Sequence, residues 1–144
     1  MIEQDTIKLL RECDAGVKMG IISLNDVAPR AKADGMADAL EKCKTKHERL
    51  EREIRAMLND YSDSGKTPNS FITGMSRMKT NMKLAMKDKD STIAELMTDG
   101  CNMGIKSLSR YLNQYAAAEE RAKDITKKLI AEEEELAREM RDYL

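Results

Sequence analysis

The nine residues Gly16-Val-Lys-Met-Gly-Ile-Ile-Ser-Leu24 recur as Gly100-Cys-Asn-Met-Gly-Ile-Lys-Ser-Leu108, with six identities at a constant offset of 84. A second match sets Leu50-Glu-Arg-Glu-Ile-Arg-Ala-Met-Leu58 against Leu136-Ala-Arg-Glu-Met-Arg-Asp-Tyr-Leu144, with five identities at an offset of 86. Charged helical segments match each other easily, so the second pair carries less weight. Together they imply one structural unit present twice, and the fold must place two similar halves around a common core.

That unit is helical. Pro29 and Pro68 are the only prolines in 144 residues, which leaves room for long uninterrupted helices. Abundant Ala, Leu, Met, Lys and Glu, with one Phe and no Trp, favour helix over sheet. Ile7, Leu10, Asp14, Val17, Ile21, Leu24 and Ala28 recur at spacings of three and four and predict a helix over residues 5–27. Pro29 ends it, and Lys32-Ala-Asp-Gly35 reads as a turn with Asp34 as N-cap of the next helix. The second helix, residues 36–59, carries Met36, Leu40, Cys43, His47, Leu50, Ile54 and Met57 on one stripe.

After the turn-rich residues 59–66, Thr67-Pro68 has the form of an N-cap followed by a first-turn proline. A Met-rich, basic helix then runs to about residue 87. A connection of this length can return the chain along a whole ~37 Å helix, which predicts a crossover in place of simple up-down-up-down topology. The third long helix starts near Asp90, where Thr92 and Glu95 have capping-box spacing. The tract Tyr115-Ala-Ala-Ala118 marks a turn, and the fourth long helix presents Ala122, Ile125, Leu129, Glu133, Leu136, Met140 and Tyr143 inward. The expected organisation is one all-α domain over residues 1–144: a helix hairpin over 5–59, a crossover over 60–89 containing a short extra helix, and a second hairpin over 90–144.

Charge and composition exclude several functions. A net charge of −1 gives the whole molecule no basic field for nucleic acid or an anionic membrane. No apolar run reaches the ~20 residues of a membrane span, and Met1-Ile-Glu-Gln-Asp5 has none of the features of a secretory signal. Cys13, Cys43 and Cys101 are odd in number and lack close pairing, which fits free thiols in a cytoplasmic protein. The crossover helix is a candidate contact for a partner helix or a membrane surface through Phe71, Met75, Met78 and Met82, with the alternative that it simply lies against the other helices. Self-association is a further expectation.

Three polar residues interrupt the apolar stripes: Asp14, His47 and Glu133. Counted from a turn centred on Ala31, Asp14 and His47 fall at one level. Glu133 is the counterpart of His47 by the second repeat, and Thr98 that of Asp14 by the first. A polar layer midway along the helices is therefore expected.

Two hairpins, a long crossover and a mid-height layer of carboxylate and histidine resemble the ferritin-like superfamily, a four-helix bundle. The segment Met103-Gly-Ile105 and the Met-rich connection resemble small bacterial ferritin-like proteins in particular. The resemblance implies a di-iron site with Glu on the first and third helices and Glu-x-x-His on the second and fourth. This sequence departs from that set. Helix two reads Lys44-x-x-His47, Thr98 replaces the third-helix carboxylate, helix four reads Ile130-x-x-Glu133, and His47 is the only histidine.

Three readings of the layer stay open. The first is a buried polar cluster of Asp14 and His47 with Lys44 nearby. The second is a single iron, manganese or zinc ion held by Asp14, His47 and Glu133, with Cys43 as a further ligand one turn from His47. The third is a small-ligand site without metal. The glycines at 16, 20, 100 and 104 admit either close helix approach or space for a ligand. No complete di-iron or nucleophilic set is present. The function expected is non-enzymatic binding or interaction, with an atypical mononuclear metal or redox protein as the alternative.

Overall fold

A computed structural model describes residues 1–144, apart from the side chain of Phe71. Five α-helices are present: α1 (Ile2–Val27), α2 (Asp34–Asp60), α3 (Ser70–Met86), α4 (Asp90–Gln114) and α5 (Glu120–Met140). Short 3-10 turns follow α1 at Ala28–Arg30 and α5 at Arg141–Tyr143, and there is no strand among the described residues. The expected helices and the turn at 115–118 are in place.

The crossover determines the topology. Asp63 pairs with Arg11, Lys66 with Glu12, Arg77 with Asp26, and Asp88 with Lys32. These contacts climb both segments in the same direction, so residues 63–88 run alongside α1 and parallel to it. The chain thus returns to the α1–α2 turn before α4 begins, and the four long helices run up, down, down and up. Asp90, in the first turn of α4, fastens the start: its carboxylate accepts the backbone N–H groups of Lys32 and Ala33 at 2.8 and 2.9 Å. At the far end the α4–α5 connection is held to α1. Ala117 N donates to Asp5 at 3.1 Å, and Glu119 N donates to the buried Thr6 hydroxyl at 2.9 Å.

Several expected helix starts use other caps. Asp34 is already inside α2, whose N-cap is Ala33, and α4 is preceded by Lys89 with no side-chain cap. Thr92 already lies inside α4, so the Thr92–Glu95 capping box does not form. For α3 the cap is Asn69, whose Oδ1 accepts Ile72 N at 3.4 Å, two residues beyond the expected Thr67. Of the three starts, only that of α3 has a short polar side chain on its backbone N–H groups.

Two apolar clusters make up the core. One lies at the α1–α2 turn end and includes Leu24, Val27, Met36, Leu40, Ile93 and Met140. The other lies at the opposite end and includes Leu9, Val17, Ile54, Leu58, Ile125 and Leu129. Between them every long helix carries a residue that belongs to neither cluster: Gly20 on α1, His47 on α2, Gly104 on α4 and Glu133 on α5. That break is where the chemistry sits.

Candidate functional site

The helix spacing that puts Cys43, His47 and Leu50 on one face of α2 carries the imidazole into the centre of the molecule, where His47 is 1% exposed. Both ring nitrogens find oxygen. Nε2 lies 2.9 Å from Glu133 Oε1 and Nδ1 lies 3.0 Å from the carbonyl of Cys43. Cys43 Sγ is 3.5 Å from Nδ1. A ring whose two nitrogens both face acceptors is best satisfied as an imidazolium. Burial alone would lower its pKa, but the contacts with Cys43 and Glu133 outweigh burial and push it up to about 10. Burial also raises the Cys43 thiol, against the hydrogen bond with His47 that lowers it.

Gly20 makes this pair possible. A Cβ at position 20 would lie 2.8 Å from His47 Cδ2 and 3.0 Å from Nε2, closer than side-chain carbons approach. Gly104 faces Glu133 less tightly, at 3.6 Å to Cδ. The glycines of α1 and α4 at this level are 84 residues apart, and the polar pair of α2 and α5 is 86 apart. The polar layer is thus real at His47 and Glu133.

Asp14 is elsewhere. It is 2% exposed and binds Lys18 Nζ at 2.8 Å and the backbone N–H of Lys66 at 3.0 Å, which anchors the start of the crossover. The His47 ring lies against Gly20, six residues or ~9 Å further along α1. Thr98 turns its hydroxyl onto the Ala94 carbonyl at 2.7 Å. Expected ligands Asp14 and Glu133 therefore do not meet, and among the described residues no three His, Cys, Asp or Glu side chains converge as a metal requires. The residues do not fit the di-iron group that the resemblance implies.

The cysteines are inert by position. Cys13 sits in the far cluster, 3.1 Å from the Thr126 hydroxyl, and burial pushes its thiol up to about 12. Burial and the neighbouring Glu133 raise Cys101 as well. Thiols held protonated are poor nucleophiles.

Of the two readings of the glycines, close helix approach or space for a ligand, the structure has a cavity beside the polar layer. It measures about 410 Å³ and lies between α1 and α4, floored by Leu129 and Glu133 of α5 and covered by Ile72, Ser76 and Thr80 of α3. Gly16, Gly20, Gly100 and Gly104 all face it, with Met19, Met97, Met103 and Leu108 among the apolar wall and Glu12, Lys79 and Asp99 among the charged lining. Only Gly20 is required by a close neighbour. A Cβ at Gly100 would meet nothing within 4 Å, and one at Gly16 would meet only Leu108 at 3.9 Å. The repeated glycines thus line an opening instead of bringing α1 and α4 together, and the signal was in the sequence as the second pair, at 16 and 100. Its size falls within the range of small-molecule sites, ~300–1,000 Å³. Comparison of the chain with protein-family models, curated proteins and solved structures gives no match.

Proposed function

We propose that this chain is a non-enzymatic binding protein of ferritin-like architecture, with its metal layer reduced to an ion pair and a ligand cavity opened beside it. The observation that carries the reading is the cavity of about 410 Å³ whose facing walls are the repeated glycines of α1 and α4. Each glycine in a helix interior costs ~1 kcal/mol against alanine. At Gly20 the His47 ring accounts for that cost, and at Gly16 and Gly100 open space does.

The wall chemistry fits a small, largely apolar molecule. Methionine, leucine and glycine supply ten of its lining residues, Glu12, Lys79 and Asp99 add charge, and the Glu133 carboxylate at the floor offers an acceptor to a ligand hydroxyl or amine. Catalysis has less support. His47 has both nitrogens engaged and is held protonated, so it is not available as a base, and the thiols are held neutral. The up-down-down-up helix order with its crossover supports the ferritin-like reading independently of the polar layer.

Fluorescence titration with 1-aminoanthracene, a neutral apolar probe with one amine, tests the reading. Saturable binding to the native chain is expected, weakened at least about tenfold in Gly16→Leu/Gly100→Leu, which fills the cavity from both walls. Circular dichroism confirms that the variant is folded. No saturable binding, or equal binding by the filled variant, would sink the proposal.

A further inference from the structure

Helix α3 is amphipathic in the reverse sense. Its outward residues Met75, Met78, Met82 and Met86 are 57–82% exposed, whereas Thr73, Ser76 and Thr80 are half-buried toward the other helices and Ile72 sits at the cavity edge. Of its residues facing inward only Leu84, at 1% exposure, supplies an apolar anchor. Exposing methionine while turning half-buried hydroxyls inward is the costly way to lay a helix on a protein, unless the outer face is itself covered. Phe71, part of the contact expected here, has its side chain outside the described residues.

Charge selects the cover. The helix contains no acidic residue, and residues 66–89 carry a net charge of +5 against −6 for the remainder of the chain. Lys66 and Arg77 are tied to α1, but Lys79, Lys83 and Lys87 make no ion pair among the described residues. At spacings of four they form one row beside the methionine row. A second copy placed face to face would oppose like charges. The face is also about four side chains long, far short of the roughly 20–30 residues a side of a standard protein interface. A convex apolar row flanked by lysines suits an anionic lipid surface, where the methionines enter the acyl boundary and the lysines reach the headgroups.

We infer that α3 docks this protein on anionic membrane surfaces, lying in the interface without crossing it. Among the described residues no helix is long and apolar enough to span a bilayer. The inference does not depend on a ligand in the cavity.

Co-sedimentation of the full chain with phosphatidylcholine vesicles, with or without phosphatidylglycerol, tests it at low and high salt. Two exposed-site variants accompany the native chain, Met75→Asp/Met82→Asp and Lys79→Glu/Lys87→Glu, each checked by circular dichroism. They act independently, so either suffices if the other misfolds. The native chain should sediment with phosphatidylglycerol vesicles at low salt only, and each variant should lower the bound fraction at least about tenfold. No sedimentation with anionic vesicles, or sedimentation unchanged in a folded variant, overturns the inference. So does a dimer in analytical ultracentrifugation that Met75→Asp/Met82→Asp converts to monomer, which would give the face to a second copy.

Discussion

His47 Nε2 donates to Glu133 Oε1 at 2.9 Å, across 86 residues, the same interval that separates the repeated segments ending at Leu58 and Leu144. Two glycines at the same level, 84 residues apart, complete the layer between the core clusters. Each hairpin thus supplies one polar side chain from its second helix and one glycine from its first. Several consequences can be measured.

The layer makes stability depend on pH. His47 in the folded chain titrates at about 10, above its ordinary 6.5. The pair therefore contributes fully below about pH 6.5, and the contribution is lost as pH rises through about 10. The urea midpoint of the native chain, measured relative to His47→Gln, should fall across that window. A single imidazole signal in proton NMR, from the only histidine, should still be protonated at pH 8. An imidazole that titrates near 6.5 would contradict the ion pair.

Glycine-to-alanine substitutions should split by position. Gly20→Ala drives a methyl group into a ring fixed at both nitrogens and should cost about 1–3 kcal/mol. Gly100→Ala meets open space and should stabilise by up to ~1 kcal/mol through helix propensity. Chemical denaturation of the two variants decides it, and equal effects would argue against the layer geometry.

The crossover should depend on Asp14 and Gly65. Gly65 has φ +83°, and a Cβ there would overlap Asp14 Oδ2. Gly65→Ala combines backbone strain with that overlap and should destabilise by about 2 kcal/mol. Asp14→Ala leaves the Lys66 N–H and Lys18 without their acceptor and should cost about 1–3 kcal/mol. Thermal melts that leave both variants at the native midpoint would show that this anchor is unimportant.

Metal content gives a separate check. Chain purified without a histidine tag should carry no stoichiometric iron, manganese or zinc, since Asp14 is held by Lys18 and Lys66 away from His47. Near-stoichiometric metal that disappears in His47→Ala would reinstate the mononuclear reading.

Much of this was legible from residue spacing. Apolar periodicity located the four long helices, because amphipathic faces record burial directly. The length of residues 60–89 foretold the crossover, and the repeat paired His47 with Glu133. Register failed at Asp14 for a physical reason. The turn is not centred on Ala31, since the helical path continues through Ala28–Arg30 and extended backbone follows at Ala31 and Ala33. Helical side chains also lean toward their own N-terminus, so the His47 ring lies beyond the level of its Cα, against Gly20. For α3 the sequence left two orientations open, an outward contact face or a helix laid against the others, and its methionines face out.

Methionine-methyl NMR tests the ligand cavity most directly, because methionines line it and also mark the outer face of α3. On addition of 1-aminoanthracene, the signals of Met19, Met97 and Met103 should shift with one saturating profile that Gly16→Leu/Gly100→Leu abolishes. Shifts confined to Met75, Met78, Met82 and Met86, or no saturable shift in the native chain, would contradict a binding site between the glycine walls.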